Sequence, residues 1–93
     1  MTNELPTYTG EKINNGTDIS NLNFAAVLLC KGKIVQGVKA NQARPEFSVF
    51  VFEPDAEISQ LQVSYKKGDI LVEPKEFIEQ VRYLKDLSNK RPE

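Results

Sequence analysis

The chain has no histidine and a single cysteine among its 93 residues. The first absence removes the imidazole as a general base, as the partner of a Ser or Cys nucleophile, and as a zinc ligand. The second removes disulfides within the chain and cysteine clusters. Cys30 closes the apolar run "FAAVLLC" and is followed by Lys31. That setting suits a buried, inert thiol better than a reactive one, which needs exposure and cationic surroundings. No apolar run reaches the about 18 residues of a membrane helix, and no secretory signal is recognisable, so a cytoplasmic protein is expected.

Charge of one sign is lacking too. Twelve Lys and Arg against 13 Asp and Glu leave a formal net charge of −1, which gives no global case for nucleic acid or an anionic membrane surface. The distribution is less even. Lys31, Lys33, Lys39 and Arg44 are opposed only by Glu46 over residues 31–52, and Lys66 and Lys67 are adjacent. These six cations are the candidate phosphate contacts of one alternative function, a nucleic-acid-binding accessory protein. The structural alternative is that lysines on a sheet edge discourage unwanted pairing.

What is present is a single small domain. Residues 1–19 are polar and are expected to form a flexible N-terminal segment, residues 20–88 the globular domain, and residues 89–93 a frayed tail. A folded unit of this size buries only about 60–65% of the surface its unfolded chain exposes. Without a disulfide or a metal site, oligomerisation is the natural supplement.

"SNLNFAAVLLCKG" predicts a helix over 21–31, with Ser20 as N-cap and Gly32 as the left-handed residue after its end. Apolar nearly all round, it must be central, and Ala25 and Ala26 would let a neighbour approach its backbone. "KIVQGVKA" and "EFSVFVFE" predict strands 33–40 and 46–53, joined by a loop containing Pro45. Residues 56–67 can be read two ways. Leu61, Val63 and Tyr65 alternate as in a strand, but Pro54-Asp55 starts and Lys66-Lys67-Gly68 stops a helix, and these end signals favour the helix. Val63 then falls off the apolar stripe and should be exposed. Pro74 opens a last helix, 75–88, with Phe77, Ile78, Val81, Leu84 and Leu87 on its apolar stripe and Tyr83 pointing away from it.

No catalytic, cofactor-binding or metal-ligating set emerges. "GKIVQGVK" spaces two glycines like a phosphate loop but lacks the Lys-Ser/Thr and reads as a strand. Glu53, Asp55 and Glu57 could meet a cation, but acidic residues at a helix start are already accounted for by the helix dipole.

The order "SNLNFAAVLLCKG", then "FVFE", then a Tyr before Gly68, Val72-x-Pro74 and the helix with Phe77, Arg82, Leu84 and Lys85 resembles a family of small uncharacterised domains of phages and mobile elements, described only as a domain of unknown function. The resemblance spans about residues 20–87. In its pattern a Thr-Asp pair precedes the first helix, where this chain has Ser20-Asn21, which keeps the capping chemistry and drops a charge. The resemblance implies a helix at 56–67 and a phage or mobile-element setting; it brings no activity.

The expected fold is α+β, in the order α-β-β-α-α, with one antiparallel hairpin packed on helices. The stretch "FSVFVF" is apolar on both faces. The residues alone do not say which face is buried, and the recurring Phe-x-Phe of the resemblance favours Phe50 and Phe52 as core. That leaves Phe47, Val49 and Val51, with Val63 and Tyr83, as candidate interface residues of a non-catalytic interaction module. Such a module would form a homodimer or dock on a larger protein through its hairpin.

Overall fold

The computed structural model describes residues 16–90 and runs β1 (Thr17–Ile19), α1 (Leu22–Cys30), β2 (Val35–Ala40), β3 (Ser48–Phe52), α2 (Glu57–Lys67) and α3 (Pro74–Asn89). The fold is α+β, and from residue 20 onward the elements follow the expected order. The expected disorder of residues 1–15 and the fraying of 91–93 lie outside the described residues.

β3, apolar on both sides, is the middle strand of an antiparallel sheet with the order β1-β3-β2. β1 falls within the span assigned to the N-terminal segment and turns the expected hairpin into a three-stranded sheet. It pairs Thr17 with Phe52, Asp18 with Val51 and Ile19 with Phe50. Three residues with a single apolar one are too short to show a period, and the pairing that stabilises them lies more than thirty residues away.

On the other side, Val35 pairs with Phe52 and Gly37 with Val51, so Gln36 is the extra residue of a bulge. The bulge has a definite effect. Val35 and Val38 are an odd number of positions apart, and a regular strand would send them to opposite faces. With Gln36 bulged out, both lie on the face of Phe50 and Phe52.

Each helix ends where its local chemistry says it should. Asn21, not Ser20, caps α1: its Oδ1 accepts from the Phe24 N–H at 2.9 Å, so the cap lies one residue later than expected. At the other end Gly32 takes φ 85°, its N–H donating to the Leu29 carbonyl while that of Lys33 donates to Leu28. This 5→2 and 6→1 pair is a Schellman motif, and Gly68 (φ 79°) closes α2 in the same way through Tyr65 and Ser64. The helical reading of 56–67 thus holds, with Asp55 Oδ1 accepting from the Glu57 N–H at the start. Pro74 is the first residue of α3, and Glu73 caps it through Oε1 to the Glu76 N–H.

The core lies between the helices and the Phe50/Phe52 face. Phe24, Ala25, Ala26, Val27 and Leu28 of α1 are buried against Ile19, Val35, Val38, Phe50 and Phe52 from the sheet, Ile58 from α2, and Leu84 and Leu87 from α3. α1 is the central helix and packs chiefly on α3. The Phe24 and Tyr65 rings meet at 5.1 Å, tilted by 43°, in a favourable edge-tilted contact.

Candidate interaction surface

The connection between β2 and β3 is folded rather than slack. Asn41 Oδ1 accepts from the N–H groups of Ala43 and Arg44, its own N–H donates to the Phe47 carbonyl, and the Phe47 N–H donates to Arg44. This Asx-type turn places the Arg44 guanidinium 5.1 Å from the centre of the Phe47 ring, within cation–π range. Immediately beyond the turn, the hydroxyls of Ser48 and Ser88 share a hydrogen bond that ties the start of β3 to the last turn of α3. Between the turn and α3 lies an open groove of about 530 Å³. Leu22, Phe47 and Phe50 supply its apolar lining, and Glu46 on the turn and Lys85 on α3 supply charge of opposite sign.

Of the candidate interface residues, Phe47 (53% exposed) and Val63 (54%) present surface, Val63 on α2 outside the groove. Val49 and Val51 do not: they are 7% and 0% exposed. They lie on the face away from the helices, where a Cβ placed on Gly16 would stand 2.2 Å from Val51 Cγ1 and 2.8 Å from Gln36 Oε1. Gly16 therefore lies directly against Val51, and Lys39 reaches over the same face to Asp18 at 3.0 Å. Tyr83 also departs from expectation. It is half-buried and packs on the margin of the core instead of standing free of it.

The hairpin cations are dispersed and engaged. Lys31 donates to the Leu71 carbonyl at 3.0 Å, Lys33 bridges Asp55 (3.1 Å) and Glu57 (2.5 Å), Lys39 pairs with Asp18, and Arg44 lies 3.7 Å from Glu46. The hydrogen bonds from Lys33 to Glu57 and then Asp55 raise the Lys33 pKa. Asp55 is held below its usual value by the Glu57 backbone N–H and then by Lys33. Lys66 and Lys67 are exposed at the end of α2.

Cys30 is half-buried, and its pKa is raised by desolvation and then by Glu76, with Lys31 opposing. This is the reverse of thiol activation. Among the described residues no three His, Cys, Asp or Glu side chains group as metal ligands, and no helix is long and apolar enough to cross a membrane.

Sequence reasoning singled out neither Glu46 nor Lys85 as a pair, nor Leu22, Ser48 and Ser88 as parts of one groove. Ser48 and Ser88 are forty residues apart, and nothing local in either segment signals the contact.

A family model described as a domain of unknown function (DUF5659) matches residues 14–89. No curated protein and no solved structure matches the chain.

Proposed function

The chain belongs to the DUF5659 family, and from its surface we propose that it is a non-catalytic protein-interaction module that docks through the groove beside the β2–β3 turn, with Phe47 as its anchor. The observation that carries this reading is the half-exposed Phe47 ring at a groove of about 530 Å³, held by a hydrogen-bonded turn. An aromatic side chain fixed in place loses little entropy on binding and supplies large contact area, which is why such residues dominate interface energetics. The non-catalytic part of the proposal draws on the missing imidazole and on a thiol whose pKa is raised rather than lowered. A phage or mobile-element setting is part of the proposal, as what the resemblance carried by the order from "SNLNFAAVLLCKG" to the last helix implies, and a cytoplasmic one is part of it on the unpaired cysteine.

The ion pairs weigh against phosphate contact. Lys33, Lys39 and Arg44 would each have to be drawn from a carboxylate, and Lys31 from a carbonyl, before meeting nucleic acid.

Matched baits of the unsubstituted chain and Phe47→Asp, cross-linked in cells that encode it naturally, test the docking reading. Partners, another copy included, should be retained by the first and lost with the second. Equal capture by both would overturn the groove as the docking site.

A further inference from the structure

We propose that the occupant of the groove is a second copy of this chain, in a two-fold dimer where the Phe47 turn of each protomer lies in the groove of the other. This rests on the docking reading and names its partner. The two walls carry opposite signs, Glu46 on the turn and Lys85 on α3. A two-fold axis running along the groove sets the turn wall of each protomer against the α3 wall of the other, so that Glu46 of one protomer meets the partner's Lys85, twice over. A groove of one sign would instead select an oppositely charged partner.

The overall charge agrees with self-pairing: at a formal net charge of −1, two copies approach without long-range repulsion. The size of the domain supplies the driving force. A small core with a lone cysteine has no internal disulfide to supplement it, and covering the exposed part of Phe47 together with the Leu22 surface would remove further apolar area from water.

Both charges can be reversed without disturbing the fold. Lys85 is exposed, and the Glu46–Arg44 contact joins side chains that are 62% and 66% exposed, a geometry worth little to stability. The test is sedimentation velocity of the full chain from micromolar to millimolar concentration, on the unsubstituted protein, Glu46→Lys, Lys85→Glu and the double variant, with circular dichroism confirming the fold of each.

The unsubstituted chain should dimerise with concentration. Each single reversal should raise the dimer dissociation constant by about tenfold or more, because it places two like-charged pairs at the interface. The double reversal should recover it to within a few-fold, and high salt should compress all these differences. A monomer throughout, or a double variant no better than the singles, overturns the two-fold pairing. If a monomeric chain still captures a protein that Phe47→Asp loses, self-pairing fails while docking stands. A dimer indifferent to Glu46→Lys, Lys85→Glu, their combination and Phe47→Asp forms through another face and overturns self-pairing through this groove.

Discussion

Lys39 Nζ lies 3.0 Å from the Asp18 carboxylate although the whole of β3 separates their strands. Lys39 is in register with Val49, and Asp18 with Val51. The pair therefore runs diagonally over two valines on the face turned away from the described helices. Neighbouring strands are about 4.8 Å apart, so bridging two spacings takes most of a lysine's length, and the Lys39 side chain, 31% exposed, is mostly covered. A charged pair across the sheet thus contributes to the cover over Val49 and Val51.

If the stem of Lys39 matters more than its charge, Lys39→Ala should destabilise the fold by about 1 kcal/mol through lost packing. Asp18→Asn should cost less than about 0.5 kcal/mol, since the carboxylate is half-exposed. Urea unfolding midpoints of the two variants decide the order. Equal losses would put the effect on the ion pair instead.

The contact of Gly16 with Val51 leaves no room for a side chain. Gly16→Ala should cost about 1–3 kcal/mol by overpacking, and Val51→Ala about 2 kcal/mol by opening a cavity. Combined, they should cost clearly less than the sum, because the new methyl enters the space that the valine vacates. Additive losses in thermal or denaturant unfolding would contradict the close approach.

Phe47 and Phe50 differ by three positions and by burial, 53% against 3% exposed. Phe50→Ala should cost about 3–5 kcal/mol, enough to threaten a domain of this size. Phe47→Asp should stay within about 1 kcal/mol. Denaturant titration under monomeric conditions separates the two.

The Lys33–Asp55–Glu57 cluster predicts two pH limits. Asp55 is depressed below 3.8, so its contribution is present above the unfolded carboxylate's pKa and is lost as pH falls through the lower folded value. Lys33 is raised above 10.5, so its contribution is full below the unfolded lysine's pKa and is lost as pH climbs through the higher folded value. Asp55→Asn keeps an acceptor for the Glu57 N–H but removes the charge. Its stability gap to the unsubstituted chain should be flat at neutral pH and should close only in strong acid. A gap that closes near neutrality would assign the effect to another group.

The helices were legible because their determinants are local. Gly32 and Gly68 both occupy the left-handed positions that their sequence context calls for, and Pro54-Asp55 with Lys66-Lys67-Gly68 outweighed the strand-like alternation of Leu61, Val63 and Tyr65. The cap of α1 slipped from Ser20 to Asn21 because both residues have capping chemistry, and only the backbone turn at residue 21 chooses between them. The candidate interface residues differ in exposure for a related reason. Alternation separated Phe47, Val49 and Val51 from Phe50 and Phe52, and the resemblance favoured the latter pair as core, but neither says what lies above that second face.

By itself, then, the chain determined its α+β class, the end signals of its helices, the two apolar faces of β3 and the lack of any imidazole or second thiol, since all of these follow from composition, period and capping within a few turns. Tertiary structure decided the third strand, the bulge that brings Val35 and Val38 to one face, the cover over Val49 and Val51, and the meeting of Glu46, Phe47 and Lys85 at one groove. Each of those depends on partners far apart in sequence, where the register of one strand against another, rather than any local preference, sets which side chains meet.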